Sequence, residues 1–279
     1  MKLKACAKIN LTLDVLGKRE DGYHIIDSVF QSVSLGDEVD VEKADEIVVS
    51  CTDDTISAES NIAYIAAKCF FEYTGICGGA NIKIEKHIPL AAGMGGGSAD
   101  AAAVIVALNS LYDAKLTKEQ LCEIGLAVGA DVPFCIVGGT ARVGGIGEKL
   151  QKISDMPSCA ILLIKHNSKI STAHMYKQLD EHPQTEHHTQ SMVDGVKNGD
   201  LNAVCNNVFN AFSKVCNNET LISDIKTTGP MAVSLSGSGP TVFAIYDNLE
   251  STNIAKAALE QMSYSPIVAT PSKVGVVIE

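Results

Sequence analysis

Glycines at positions 93 and 95–97 are the residues of this sequence best suited to hold an anionic ligand. Glycine adopts positive φ and lets the backbone approach a ligand closely. We expect the alanine-rich run from Ala101 to Tyr112 to form a helix, with Ser98 as its N-cap and Asp100 in its first turn. Because the first N–H groups of a helix lack backbone partners, glycines at a helix start predict a phosphate-binding site.

A strand is predicted directly before this loop, because Ile82, Ile84 and Ile88 alternate largely with polar residues until Pro89 ends the pattern. Two common phosphate-binding motifs are excluded. No Gly-Lys-Ser/Thr follows at Walker A spacing, and Ser98 stands where the dinucleotide fingerprint needs its last glycine. The alternative is a strand-to-helix turn whose glycines only permit tight packing. Three consecutive glycines are more than such a turn needs, which favours phosphate binding.

Length and charge limit the kind of protein this is. At 279 residues, 46% hydrophobic and 20% charged, the chain can form two globular domains, which we place at 1–153 and 154–279. A net charge of −11 argues against nucleic acid as a partner, since its phosphates would be repelled. A small anion is compatible with this charge where local cations outweigh it, and Lys8, Lys83 and Lys86 are candidates.

The nine cysteines have no C-x-x-C spacing, which is typical of reduced thiols in a cytoplasmic protein. Neither they nor His187 and His188 have the clustering that a zinc site needs. Near the N-terminus, Lys8 and Asp14 interrupt any apolar core of a signal peptide, and no uncharged run approaches the length of a membrane span. We therefore expect a cytoplasmic protein with no membrane partner.

Near the N-terminus, apolar and polar residues alternate from Ile9 to Val15, which predicts a strand with one buried face. Lys8 and Asn10 share the other face of that strand and can present an ammonium and an amide together. A polar turn then leads to Tyr23 and His24, which without further information would be a turn pair at the edge of the core.

Other elements are predicted from spacing and capping signals. The apolar spacing at 25–33 fits a helix, although its β-branched residues favour a strand. Asn61 is expected to cap a helix that Gly75 ends, and Thr117 opens a capping box. The segment that begins at 129 and contains Asp131 is expected to start a strand.

The second half is predicted to be strand, helices, and then a hairpin. We expect a buried strand at 159–164, a helix capped by Thr172, a polar loop at 181–190, and a helix whose apolar stripe runs through 201–215. A second glycine-rich segment, 236–240, is predicted to be the hairpin turn.

Taken together, three motifs resemble those of the GHMP kinase superfamily of galactokinase, homoserine kinase, mevalonate kinase and phosphomevalonate kinase. They are Ala7-Lys-Ile-Asn-Leu11, the run from Pro89 to Ala103, and Leu235-Ser-Gly-Ser-Gly-Pro-Thr241. The resemblance spans nearly the whole chain and implies an α+β, two-domain GHMP-kinase fold. In that fold a nucleotide-binding, ribosomal-protein-S5-like domain precedes a ferredoxin-like α/β sandwich, with substrate between them. It also implies a strand at 25–33, and we follow it there.

Three local details are similar to the branch of this superfamily that phosphorylates a cytidine diphosphate-linked methylerythritol in non-mevalonate isoprenoid synthesis. They are Gly22-Tyr-His24, the Gly-Gly-Gly-Ser form of the loop, and Gly129-Ala-Asp-Val-Pro-Phe134. The resemblance thus implies a small-molecule kinase that uses ATP and Mg²⁺. Asp131 would accept the proton of the attacked hydroxyl, and Lys8 would lie beside it. Without the resemblance, Asp131 is interpreted as a turn or capping residue and Lys8 as a solvated strand lysine.

The resemblance also assigns binding roles. For the substrate it implies Asn10, stacking and base-reading by Tyr23 and His24, a second aromatic face from Tyr176, and a nearby contact from Thr172. For ATP it implies an adenine contact from Asn61, which can also be a plain N-cap, and a loop made of Pro89, Gly93, Met94, Gly95, Gly96, Gly97, Ser98 and Ala99.

Position 99 carries alanine where the superfamily usually has serine, which removes a hydroxyl from the loop. We therefore expect Mg²⁺ to be held mostly by phosphates and water, and assign it no protein ligand. A monomer or weak homodimer is expected. The rival interpretations are a homoserine- or mevalonate-type kinase, a nucleotide-binding protein without turnover, and a decarboxylase that phosphorylates only to create a leaving group.

Overall fold

The computed structural model describes residues 1–53, 61–166, 171–181, 184–216 and 218–279. The strands among these residues form two β-sheets. The strands of the first sheet are β1 (Lys2–Lys18), β2 (His24–Ala44), β3 (Val48–Cys51), β4 (Gly79–Glu85), β5 (Thr140–Gly145), β6 (Lys149–Lys152), β8 (Phe209–Asn210) and β12 (Val276–Ile278). Those of the second sheet are β7 (Ala160–Lys165), β9 (Ala232–Leu235), β10 (Thr241–Tyr246) and β11 (Ile267–Ala269).

Helices cover both sheets. They are α1 (Ile62–Thr74), α2 (Gly96–Leu111), α3 (Lys118–Val128), α4 (Val132–Val137), α5 (Thr172–Glu181), α6 (Thr189–Lys197), α7 (Leu201–Asn206), α8 (Glu219–Lys226) and α9 (Leu249–Gln261). None of the helices in the described part of the chain has the length and apolar character to cross a membrane. All nine cysteines are free thiols.

The long antiparallel pair β1 and β2 forms the middle of the first sheet, in the order β12-β1-β2-β4-β3. The pairing is irregular between Cys6 and Lys8 and again between Asn10 and Thr12. Irregularities of this kind turn a side chain away from its regular direction and are frequent beside active sites. Here they flank Lys8 and Asn10, so the backbone itself sets the direction of these two side chains.

The segment 25–33 lies in β2, as the resemblance implied, and the helical interpretation of its spacing is wrong. Val29, Phe30 and Val33 are all buried, at 0%, 3% and 0% exposure. β2 has no clean polar face at this point because helices cover one side of the sheet and the C-terminal half covers the other. A strand buried on both faces loses its alternation and can imitate a helical pattern.

The alanine-rich helix forms, but it begins earlier than predicted. α2 starts at Gly96, and Gly95 with φ of 68° occupies the N-cap position in place of Ser98. A left-handed glycine lets the chain turn sharply into the helix without a side-chain cap. Asp100 consequently lies beyond the first turn and is buried. Small side chains on every side of α2 allow α1, α3, α4 and both long strands to pack closely around it.

Three further predictions are wrong for identifiable reasons. The segment after 129 forms α4 rather than a strand, with Pro133 in the first turn, where a missing N–H costs nothing. The stripe at 201–215 is helical only as far as Asn206, after which β8 pairs with β1 and a 3₁₀ turn follows. Thr172 is the first residue of α5 rather than its cap, since the Ser171 hydroxyl accepts from the His174 amide at 3.2 Å.

Several local predictions are confirmed. Asn61 caps α1 by accepting from the Ala63 amide, Gly75 ends that helix with φ of 68°, and both bonds of the Thr117 capping box are present. β9 and β10 form the predicted hairpin. The polar loop predicted at 181–190 is shorter than expected, because Glu181 ends α5 and α6 begins at Thr189; residues 182–183 lie outside the described residues. The chain finally returns to the first sheet, where β12 pairs with β1.

Candidate active site

The glycine loop enters α2 through two left-handed glycines. Gly93 and Gly95 have φ of 73° and 68°, a region that other residues rarely adopt. No side chain in the described ranges caps the helix at Gly95, so the first amides of α2, at 96–98, remain available to a ligand. The loop, together with Ile62 and Lys86, lines a cavity of about 270 Å³. Unpaired amides at a helix start make this cavity an anion site.

The C-terminal half holds the loop in place. Three loop carbonyls accept hydrogen bonds from it: Leu90 from Lys165 Nζ at 2.7 Å, Ala92 from the Thr241 amide at 3.2 Å, and Gly93 from Ser236 Oγ at 3.0 Å. On the other side, the Lys8 amide donates to the Met94 carbonyl at 3.0 Å. Because both halves of the chain hold the loop, its position relative to β1 is well determined.

The predicted loop residues differ in what they can offer a nucleotide. Pro89, Gly93 and the residues at 95–98 are exposed or half-buried along the cavity. Met94 is only 2% exposed, so its side chain belongs to the core. Ala99 is fully buried, and its amide donates to the Gly95 carbonyl at 2.8 Å. Neither the amide nor the side chain of Ala99 is therefore free for a ligand.

Lys8 and Asp131 lie side by side at this loop, with Lys8 Nζ 3.3 Å from Asp131 Oδ2. The Lys8 ammonium also donates to Asn10 Oδ1 at 2.9 Å and lies 4.3 Å from the centroid of the Phe30 ring. The stem of Lys8 passes the loop so closely that a Cβ on Gly95 would lie 3.1 Å from it. An ammonium, a carboxylate and free amides thus meet at one point.

Asp131 occupies the N-cap position of α4, yet its carboxylate caps none of the described amides. Pro133 removes one of the amides that an N-cap side chain would bind. The carboxylate, one-third exposed, instead faces Lys8 and the cleft. This placement excludes the alternative in which Asp131 is a capping residue.

The second glycine-rich segment, 236–240, closes the other side of the site. A Cβ on Gly237 would lie 3.4 Å from Asn10 Oδ1 and 3.8 Å from Lys8 Nζ. Asn210, which is 2% exposed, fixes this segment by donating to the carbonyls of Leu235 and Gly237 at 2.8 and 2.9 Å. Sequence reasoning missed Asn210, whose only signal was a polar residue inside an apolar stripe.

The predicted base-binding residues form a partly assembled aromatic group. The His24 and Tyr176 rings stack at 4.2 Å with 15° between their planes, and Asp180 Oδ1 lies 2.7 Å from His24 Nε2. Tyr23 is 61% exposed and stands outside this stack. Burial and, secondarily, the charge of Asp131 raise the pKa of the Tyr176 phenol. The Asp131 carboxylate is therefore close enough to the aromatic group for its charge to act on Tyr176.

Asn61 and Thr172 lie at the two ends of this region. The Asn61 side chain is 4% exposed and caps α1 beside the glycine loop, where Ile62 lines the cavity. Thr172 Oγ1 donates to Ser238 Oγ at 2.8 Å, which joins α5 to the second glycine-rich segment. The sequence-predicted residues thus fall into a group at the glycine loop and a group around His24, and Asn61 and Thr172 are already engaged in structural hydrogen bonds.

The donors at the loop fit a metal-bound phosphate better than a bare cation. Amides and the Lys8 and Lys86 ammonium groups attract oxygen anions, whereas Mg²⁺ prefers carboxylates, carbonyls and water. Among the described residues, the side chains close enough together to hold a metal ion are those of Glu38, Glu85 and His87. They are exposed on the surface of β2 and β4. Mg²⁺ at the loop would therefore be held by phosphates and water, as the missing hydroxyl at position 99 predicts.

Comparisons with known proteins agree with this geometry. The family model for the GHMP kinases N terminal domain matches residues 61–139, and the model for the GHMP kinases C terminal matches 192–264. A crystal structure of homoserine kinase from Cytophaga hutchinsonii has a TM-score of 0.78 over 100% of this chain and 97% of its own. At 20% identity, that likeness shows the fold alone. The two-domain α+β fold expected from the resemblance is confirmed.

Closer relatives narrow the family. The 4-diphosphocytidyl-2-C-methyl-D-erythritol kinase of Caldicellulosiruptor bescii is 42% identical over 92% of this chain and 93% of its own. That of Clostridium perfringens strain 13 is 40% identical over 97% of both. A crystal structure of 4-(cytidine 5'-diphospho)-2C-methyl-D-erythritol kinase has a TM-score of 0.81, with 29% identity over 98% of this chain and 99% of that one. The chain therefore belongs to the 4-diphosphocytidyl-2-C-methyl-D-erythritol kinase family, within the GHMP kinases.

Proposed function

We propose that this chain transfers the γ-phosphoryl group of ATP to the C2 hydroxyl of 4-diphosphocytidyl-2-C-methyl-D-erythritol, in non-mevalonate isoprenoid precursor synthesis. The observation that carries the proposal is the 3.3 Å pair of Lys8 and Asp131 beside the free amides of the glycine loop. Phosphoryl transfer needs little from a protein beyond positioning, charge stabilisation and a group that accepts a proton. This arrangement offers all three in one cleft.

In this mechanism Asp131 accepts the proton of the attacking hydroxyl. Lys8 stabilises the negative charge that develops on the hydroxyl oxygen and on the transferred group, since the residue is only 5% exposed and its charge acts in a site of low dielectric. The amides at 96–98 hold the outer phosphates through the positive end of α2. Bound Mg²⁺ would neutralise phosphate charge during transfer, with the phosphates as its main ligands.

The cytidine part of the substrate is proposed to bind at His24 and Tyr176, with Tyr23 closing on the outer face. The stacked His24 and Tyr176 rings support this proposal, because flat aromatic side chains are the groups on which a base stacks. Asn10 and Thr172 are proposed to contact the substrate's polar groups, and Asn61 the adenine of ATP. A cytoplasmic location, a monomer or weak homodimer, and a domain boundary at 153/154 stay predictions.

Purified protein tested with ATP and several alcohols decides between this proposal and its rivals. ADP release that depends on 4-diphosphocytidyl-2-C-methyl-D-erythritol, but not on homoserine or mevalonate, supports it. Release with homoserine or mevalonate instead would assign another GHMP activity, and carbon dioxide formed from a mevalonate derivative would make the chain a decarboxylase. ATP binding without turnover of any alcohol would mean that the chain is a nucleotide-binding protein without kinase activity.

Asp131→Asn tests the role of the carboxylate. A positioned base commonly contributes roughly 10²–10⁴-fold, so kcat should fall by about that factor. KM for ATP should stay nearly unchanged, because no nucleotide contact is removed. The matched control is Asp200→Asn, at an N-cap aspartate that does cap, through the Ala203 amide at 3.0 Å. It should keep full activity, and an equal loss of kcat and ATP affinity in Asp131→Asn would make Asp131 structural.

A further inference from the structure

Three charged side chains form a buried cluster behind the glycine loop, here called the Lys86 cluster: Asp37 on β2, Lys86 after β4, and Asp100 on α2. Their side chains are 0%, 8% and 4% exposed. Lys86 Nζ lies 2.7 Å from Asp100 Oδ2 and also contacts Asp37 Oδ2 directly. The fold thus encloses two carboxylates with a single ammonium.

The two carboxylates are not equivalent. Asp37 Oδ1 accepts from the amides of His87 and Ile88, at 2.6 and 2.7 Å. Asp100 Oδ1 is buried and has no hydrogen-bond partner among the described residues. A buried oxygen without a donor favours the neutral form of Asp100. A proton taken up by the cluster therefore belongs on Asp100.

The electrostatics of the cluster agree with this assignment. Burial raises the pKa of Asp100 to about 8, with Lys86 opposing the rise and the charge of Asp37 adding to it. For Lys86, burial lowers the pKa, but the attraction of Asp100 and Asp37 outweighs it, so the net change is upward and the ammonium stays charged. Proton exchange near neutral pH thus concerns Asp100.

The cluster lies directly behind the proposed nucleotide site. Lys86 lines the same cavity as the glycine loop, and its Nζ is 3.4 Å from where a Cβ on Gly96 would stand. Asp100 follows closely on the free amides at 96–98, in the same helix. With all three groups ionised, the cluster carries a net charge of −1 and repels a polyanion. With Asp100 protonated it is neutral, and the Lys86 ammonium is no longer outnumbered.

We propose that Asp100 is a proton-linked positioning residue, which takes up a proton from solvent when a nucleoside triphosphate binds at the glycine loop. The uptake neutralises the Lys86 cluster and lets the Lys86 ammonium act on the bound phosphates. This inference rests on the proposed ATP site. It makes nucleotide affinity a function of pH, with binding weakening as Asp100 ionises.

Other titratable groups do not account for such a dependence. On α4, Cys135 is the titratable neighbour of Asp100, and burial raises the pKa of its thiol far above neutral pH. The charges of Asp131 and Cys6 raise the pKa of the Cys135 thiol further, and the charge of Lys8 lowers it. The buried faces of α1 and α3, both fully described, carry no ionisable side chain. The phosphates of the nucleotide lose their last protons near pH 6, below the range in question.

Calorimetric titration of the whole chain with ATP and Mg²⁺, at pH 8 in two buffers of different ionisation enthalpy, measures the linked proton. The wild type should take up about half a proton at pH 8, and its Kd should rise roughly tenfold for each further pH unit. Asp100→Asn, which copies the neutral form, should take up none and should bind equally well at pH 7.5 and 9.

Two further variants complete the test. Asp37→Asn leaves one carboxylate for one ammonium, so it should also abolish the uptake, which gives a second measurement if Asp100→Asn does not fold. Asp113→Asn changes a 79%-exposed aspartate near the end of α2 and should behave as the wild type. Wild-type binding without proton uptake, or equal uptake by wild type and Asp100→Asn, would overturn this inference but not the proposed function. Absence of ATP binding at every pH would overturn the proposed function as well.

Discussion

Gly93→Ala should push the glycine loop away from the second glycine-rich segment. Gly93 has φ of +73°, and a Cβ built there would lie 2.5 Å from the Ser236 carbonyl oxygen and 2.8 Å from that of Gly239. Ordinary contact begins at 3.4 Å, and both neighbours are backbone atoms that no rotamer change can move. Either the loop or the 236–240 segment must therefore shift.

The cost of this substitution has two parts. A left-handed conformation costs a residue with a side chain roughly 1–2 kcal/mol, and overpacking typically adds about 1–3 kcal/mol. The free energy of unfolding should therefore fall by about 2–5 kcal/mol. Gly75→Ala is the matched control, because Gly75 has φ of +68° but a Cβ added to it would have no described atom within 4 Å. That control should lose only the conformational part.

The same shift should reduce activity, since Met94 follows Gly93 and its carbonyl accepts from the Lys8 amide. A displacement near 1 Å at a reacting centre can cost about 10²-fold in rate. We expect kcat/KM to fall by that order in Gly93→Ala and to stay near wild type in Gly75→Ala. Urea unfolding and steady-state kinetics measure the two effects. Equal destabilisation of both variants, with full activity in Gly93→Ala, would refute the view that the two glycine segments form one packed unit.

Two other substitutions separate structural from binding roles. Asn61→Asp keeps an oxygen for the Ala63 amide, so thermal unfolding should change little, while KM for ATP should rise severalfold because the amide donor is lost. Asp180→Asn should raise KM for the cytidine-containing substrate severalfold with kcat nearly unchanged, because the hydrogen bond that orients His24 is weakened. Hydrogen bonds from His24 and then Lys18 lower the pKa of Asp180. Its contribution to stability is thus present above about pH 4 and lost as pH falls below that value, and the contribution is small at this exposed position.

Local chemistry made part of the fold predictable from sequence. Asn61 and Thr117 were identified as helix caps because a cap needs only a side-chain oxygen and amides two or three residues away. The alternation from Ile9 to Val15 identified β1 as a strand, but the prediction of a single buried face is wrong, because Asn10, Thr12 and Asp14 on the polar face are buried as well. The partners of the caps are close in sequence and the alternation lies within β1 itself, so the local pattern carries the information.

Contacts between distant segments decided the elements that sequence could not predict. The strand at 25–33 is covered on both faces, and the stripe at 201–215 is interrupted where Asn210 bonds to Leu235 and Gly237. The same holds for the site. The motifs predicted Lys8, Asp131 and the loop as site residues, but the enclosure of Lys86 by two carboxylates joins side chains 49 and 14 positions apart. No local spacing signals such a cluster.

These contacts change how the net charge of −11 relates to anion binding. Lys8 and Lys86 were expected to attract the ligand, yet in the structure Lys8 is paired with Asp131 and Lys86 with Asp37 and Asp100. Counted with their partners, these lysines add no net positive charge at the loop. Binding of a polyanion must then depend on the uncompensated amides of α2 and on neutralisation of a nearby carboxylate. Gly95, at the N-cap position, leaves the amides of α2 uncompensated. Asp100 is the nearby carboxylate that a proton can neutralise.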